Sequence, residues 1–333
     1  MTRTRTRRIR PLALAVGIIA ALSLAGCSTT AATPTADETE AAATEVTVTD
    51  NHGEQTIALP PQRVVATDNR TITVLDEWGV DVVAAPLDIF PEGLSYKEDG
   101  SDTINLGNHG EPDLEAVVAA DPDLIINGQR FQSYYADFET LVPDATIVEL
   151  DPREGEPFED ELKRQVTVLG EIFGKQDEAA KMVADFDEAI ERVTSAYDSA
   201  DTVMAVITSG GEINYAAPTT GRTLGPVFDI LGLTPALTSD GSTDHQGDDI
   251  SVEAIAASNP NWILVMDRDA GVSANTEEAY TPANDLIGTS EALQNVAAVS
   301  AGNVVYMPQG TYLNEGIQTY TQFFNDLADA LEG

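Results

Sequence analysis

The 333-residue chain contains one cysteine, Cys27, and three histidines. A disulfide framework and a cysteine-based metal centre are therefore excluded. A buried Zn or Mn site, which takes three or four clustered ligands, is not expected. Cations are scarce as well: 17 Lys and Arg stand against 56 Asp and Glu, a formal charge of −39. So acidic a surface argues against nucleic acid and anionic lipid as partners. There is no Ser-His-Asp arrangement in a nucleophile elbow. Carboxylate pairs such as Asp248 and Asp249 arise by chance among so many acids, which leaves a cleft hydrolase as a remote reading. Scarcity makes each remaining cation informative. Beyond Arg192 only Arg222 and Arg268 are basic, and neither lies on a predicted exposed helix face. Something anionic is expected to need them.

The first ten residues, MTRTRTRRIR, carry five arginines and no acid, and an apolar run from Leu12 to Leu24 follows. That is the pattern of a signal peptide over 1–26, too short in its apolar part to span a membrane comfortably. Leu24-Ala25-Gly26-Cys27 resembles the bacterial lipobox, so Cys27 is the expected lipidation point and new N-terminus. Without residues 1–26, twelve cations remain against 56 acids, a formal charge of −44. Residues 27–44 are small and polar, and are expected to act as a flexible tether.

The rest of the chain uses one seventeen-residue phrase twice. Leu114 to Arg130 reads LEAVVAADPDLIINGQR and Val252 to Arg268 reads VEAIAASNPNWILVMDR, at a constant offset of 138. Each copy spells a short amphipathic helix opening on a Glu, a Pro-marked turn, an apolar strand and an Arg beyond the strand's end. A helix feeding an apolar strand is half of a βαβ unit, so each copy belongs in a parallel sheet. The expected fold class is α/β with two similar lobes, over 45–155 and 201–333. In such sheets ligands lie outside the carboxyl ends of the strands. Arg130 and Arg268 fall there.

Between the lobes, Phe158 to Ala200 keeps helical spacing at Leu162, Val166, Leu169 and Ile172, then at Val183, Phe186, Ile190 and Val193. A single linking backbone helix over 156–200 is expected, with Gly170 and Gly174 marking a bend or short break. A hairpin opens the first lobe near Asp50-Asn-His-Gly. The second lobe opens on the strand Thr202 to Ile207, followed by a glycine-rich loop, Ser209 to Arg222, entering a helix from Leu224. Such a loop favours an anion at the helix mouth, but it matches neither a P-loop nor a dinucleotide fingerprint.

These stretches together resemble the helical-backbone (class III) substrate-binding proteins of bacterial ABC importers, in the branch that takes ferric siderophores, catecholates above all. GEPDLEAVVAADPDLIINGQR, LGEIFGKQDEAA, GRTLGPVFDILG, DHQGDDISVEAI, NPNWILVMDR and the Tyr312 loop carry the resemblance, over roughly Glu45 to Leu331. It implies two Rossmann-like lobes joined by one long helix, with the ligand held between them and little hinge motion. It places a basic triad at Arg130, Arg222 and Arg268, and a His and a Tyr facing the iron at His245 and Tyr312. His109, before the first phrase, would line the opposite rim. Tyr134, Tyr135 and Tyr215 would stack on catechol rings or serve lobe packing. Glu115 and Glu253 would dock into the permease, whose ATPase drives import. The protein would be a monomer on the outer face of the cytoplasmic membrane, anchored at Cys27. It would bind a ferric siderophore as cargo, with no intrinsic cofactor and no catalysis. Ferric hydroxamate, haem and cobalamin remain the other ligands this fold could take.

Overall fold

A computed structural model describes residues 43–272 and 280–333. The expected signal peptide, Cys27 and nearly all of the tether lie outside the described residues.

An antiparallel hairpin, β1 (Glu45–Asp50) and β2 (Gly53–Ala58), turns at Asn51 and His52. The first lobe follows as β3 (Val64–Ala66), α1 (Ile72–Glu77), β4 (Val82–Ala85), β5 (Ile104–Asn105), α2 (Leu114–Ala120), β6 (Leu124–Asn127), α3 (Tyr135–Leu141) and β7 (Thr146–Glu149). Its five strands run parallel in the order β5-β4-β3-β6-β7. Two helices come next, α4 (Phe158–Phe173) and α5 (Gln176–Ala196). The second lobe contains β8 (Val203–Ser209), β9 (Glu212–Tyr215), α6 (Gly225–Leu231), α7 (Val252–Ser258), β10 (Trp262–Asp267), α8 (Arg268–Val272), α9 (Ala283–Thr289), α10 (Ala297–Ala301), β11 (Val304–Tyr306) and α11 (Ile317–Glu332). Its order is β11-β10-β8-β9, parallel except for β9.

The repeated phrase becomes the same unit twice, α2–β6 and α7–β10. Asp113 caps α2 by accepting from the Ala116 N–H at 2.9 Å, and Ser251 caps α7 by accepting from Ala254 at 3.2 Å. Both helices end on a left-handed residue, Asp121 at φ 48° and Asn259 at φ 46°. In each sheet the repeated strand lies second in from one edge, between that sheet's first and last parallel strands.

Strand side chains alternate between faces, and the two faces join different cores. Val64, Ala66, Leu124 and Ile126 of the first sheet belong to one continuous apolar cluster with Leu169, Phe186, Leu224, Phe228, Leu264 and Phe324. Their neighbours Val65 and Ile125 face a separate cluster with Phe131, Phe138 and Ile147. Met204, Val206, Ile263 and Val265 do the same for the second sheet. The shared cluster joins the lobes, and α5 packs along α11 within it, Phe186 stacking on Phe324 at 5.7 Å.

The expected single linking helix is corrected to a pair. Gly174 adopts φ 66°, ψ 35° and caps α4, a conformation that suits a residue without a Cβ. A side chain at Gly170 would meet the Ala179 Cβ at 2.7 Å, so glycine lets α5 fold back against α4. The two then run side by side, Lys163 pairing with Asp187 at 2.5 Å. The glycine-rich loop is also only partly a loop, because Glu212 to Tyr215 pairs antiparallel with β8.

Candidate functional site

Gly128, Gln129 and Arg130 leave the carboxyl end of β6, and Arg268 leaves that of β10. Tyr312 sits on the turn after β11, and Arg222 on the loop before α6. The lobes bring these four together. The guanidinium carbons of Arg130, Arg222 and Arg268 lie 4.9, 5.0 and 4.9 Å from the centroid of the Tyr312 ring. Each is a cation–π distance. The His245 ring lies 6.5 Å from that of Tyr312 and is about half exposed on its loop. The five expected ligand-binding residues thus lie together around the Tyr312 ring.

The three arginines differ in what else they hold. Arg130 has no carboxylate partner among the described residues, and its Nη2 is buried without a hydrogen bond. Arg268 donates from Nη1 to Asp269 at 3.2 Å and to Ser209 at 3.3 Å, while its Nε is buried without a hydrogen-bond partner among the described residues. Buried donors of this kind are open to an acceptor on a ligand. Arg222 is already engaged. Its Nε and Nη2 each donate to Glu315 at 3.1 Å, a fork on a buried carboxylate.

Glu315 was not evident from the sequence, being one acid among many. Gln129 Nε2 reaches it at 3.0 Å, Thr223 Oγ1 donates to it, and Arg70 Nη2 lies 3.6 Å away. Arg70 also donates to Asp151 at 2.9 Å. It follows β3 at the carboxyl edge of the sheet, so the rule that picked out Arg130 applied to it as well. Beneath lies Asp68, fully buried, receiving the Arg70 N–H at 2.9 Å and Gln165 Nε2 at 3.0 Å. Burial first, then the charge of Asp151, pushes the Asp68 pKa up to about 8. Gly128 is needed here for close approach, since a Cβ would stand 2.6 Å from Asp151 Oδ2.

Backbone strain gathers at the same place. Gln129 (φ 52°), Thr219 (φ 67°) and Thr223 (φ 64°) are left-handed without being glycine, at a cost of about 1–3 kcal/mol each. A cleft of about 550 Å3 opens beside them, lined by Arg70, Gln129, Arg222, Thr243, Glu315 and Tyr320. A larger hollow of about 800 Å3 at the β4–β5 edge is lined by Asp81, Glu98, Asp99 and Asp102 and gathers no comparable set of cations.

Other expected residues fall as follows. His109 is close enough to Arg130 that partial burial and that charge lower its pKa. Tyr134 donates to the His109 carbonyl at 2.9 Å. Tyr135 stacks on His52 at 3.8 Å and Tyr215 donates to the Leu237 carbonyl at 2.9 Å, so packing accounts for both. Asp248 is engaged by Ser242 at 2.7 Å. Glu115 and Glu253 are exposed in the first turns of α2 and α7, with no cation within 4 Å among the described residues. No cluster of three or more His, Cys, Asp or Glu suited to a metal occurs among the described residues.

Several known proteins are similar to this chain. The petrobactin-binding protein YclQ of Bacillus subtilis (strain 168) is 28% identical over 278 residues, covering 82% of this chain and 83% of YclQ. The ferric-anguibactin-binding protein FatB of Vibrio anguillarum is 29% identical over 255 residues, covering 76% of this chain and 78% of FatB. The crystal structure of YclQ superposes with a TM-score of 0.73 at 25% identity, over 87% of this chain and 99% of that one. The family model described as periplasmic binding protein (Peripla_BP_2) matches residues 64–311, from β3 to the threshold of the Tyr312 turn. The chain belongs to the periplasmic binding protein family.

Proposed function

We propose that the protein captures an anionic ferric siderophore, of the catecholate type, and hands it to an ABC importer for iron uptake. The observation that carries this reading is the ring of three guanidiniums around Tyr312, two of them with buried donors that have no partner among the described residues. Catecholate oxygens on Fe3+ are negatively charged acceptors, and guanidinium donors meet them with charge-assisted hydrogen bonds. A neutral hydroxamate complex makes less use of such a ring. Fe3+ is a hard ion, and the Tyr312 hydroxyl and the His245 imidazole are suitable ligands for it where the siderophore leaves positions open. The names of YclQ and FatB, one a petrobactin binder and one a ferric-anguibactin binder, support the same class of cargo.

Binding without turnover completes the reading. Glu115 and Glu253, exposed at matching places on the two lobes, dock on the permease. Cys27 carries the lipid that holds the protein at the outer face of the membrane. The test is a calorimetric titration with ferric catecholate, ferric tris-hydroxamate, haem and cobalamin. Tight binding of the catecholate complex, recovered intact afterwards, is the expected result. Preference for haem, cobalamin or the hydroxamate would overturn the catecholate assignment, and a chemically altered ligand would overturn the non-enzymatic one.

A further inference from the structure

Counted from the sequence, the cleft offers three positive charges. Counted in space, it offers fewer. Arg222 is held by Glu315, Arg70 by Asp151 and Arg268 by Asp269, and Arg130 alone of the four has no carboxylate among the described residues. Four guanidiniums against three carboxylates leave about one net positive charge. Asp68 lies beneath this set, its pKa pushed up by burial and by the charge of Asp151.

Glu315 differs from the other two carboxylates in how it is built in. Its side chain is 2% exposed, and it takes bonds from both lobes: Arg222 and Thr223 on one side, Gln129 on the other. Two of these donors, Gln129 and Thr223, occupy the strained left-handed conformations noted above. Burial raises its pKa, but Arg222 and Arg70 outweigh burial and hold it below the usual carboxylate range. It is an anion, buried beside the Arg222 that faces Tyr312.

We infer that Glu315 is a specificity-determining residue: it cancels one arginine charge of the ring and so discriminates against the most highly charged ferric complexes. The inference rests on the siderophore reading and names the charge class of the cargo. Fe3+ held by two catecholates carries one net negative charge, and held by three it carries three. Beside a carboxylate as deeply buried as Glu315, an unmatched charge is felt more strongly than in bulk solvent. A cleft near one positive charge suits the first complex better than the second.

The experiment measures the affinities of a ferric bis-catecholate and a ferric tris-catecholate in wild type, Glu315→Gln, Arg222→Gln and the double variant. Glu315→Gln is expected to raise the tris-to-bis affinity ratio by about tenfold or more, on the order of 1.4 kcal/mol of selectivity. Arg222→Gln is expected to lower it, and the double variant to bring it back toward the wild-type ratio. Should Glu315→Gln fail to fold, the recovery from Arg222→Gln to the double variant decides the matter alone. Parallel weakening of both complexes, with the ratio unmoved, would show that Glu315 only packs the loops and would overturn this inference while leaving the siderophore reading intact. A wild-type protein that binds neither complex would remove both.

Discussion

Arg130 and Arg222 stand at nearly equal distances from the Tyr312 ring, yet removing them has different consequences. Arg130 holds no carboxylate among the described residues, so Arg130→Ala orphans no buried charge and should shift the thermal midpoint by only a few degrees. Arg222→Ala leaves Glu315 ionised at 2% exposure with only Arg70, Gln129 and Thr223 to compensate. Breaking a buried pair costs about 3–5 kcal/mol, and the remaining partners set the loss toward the lower end. Urea unfolding of the two variants checks this, and equal stabilities would contradict it. Asp68 makes a pH prediction. Its folded pKa near 8 lies above the unfolded carboxylate value, so the folded state binds the extra proton between about pH 4 and 8. That contribution to stability is fully present below the unfolded pKa and is lost as pH rises through the folded one. Asp68→Asn should therefore gain stability relative to wild type on going from pH 5 to pH 8, and a pH-independent difference would count against a buried, protonated Asp68.

The repeated phrase shows which elements can be read from residues and which cannot. Its strands are apolar on both faces because each face meets a core, and each helix starts on a side-chain cap and ends on a left-handed residue, so both copies are readable at their full length. The arginines beyond the strands followed from topology. β9 was not readable, since four residues after Gly210 and Gly211 look like loop until β8 pairs with them. β5 has two residues and no pattern of its own. The helix pair α4–α5 keeps helical apolar spacing on both sides of its reversal, and Gly170 and Gly174 mark a break without showing that the chain folds back. Glu315 and Arg70 come from opposite ends of the chain, so no local signal could pair them. Gly174→Ala places a Cβ on a left-handed residue with open space around it. The expected cost is about 1 kcal/mol from backbone strain alone. A much larger loss in chemical denaturation would mean that the reversal depends on more than this residue.

At the scale of the whole molecule, one apolar cluster runs beneath both sheets, which fits cargo held between lobes that move little. The exposed glutamates of α2 and α7 lie outside that cluster, so Glu115→Lys with Glu253→Lys should abolish iron uptake in cells while leaving cargo affinity unchanged. Uptake at the normal rate would exclude them from permease docking. The two lobes meet in the arginine ring, with Arg130 from one and Arg268 from the other. Ferric catecholate affinity should therefore be compared between the wild type and the Arg130→Ala, Arg268→Ala double variant, each confirmed as folded. Hydrogen bonds to charged groups contribute about 1.5–3 kcal/mol apiece, so a loss on the order of a hundredfold or more is expected if both lobes grip an anionic complex. Undiminished affinity in the double variant would contradict that claim.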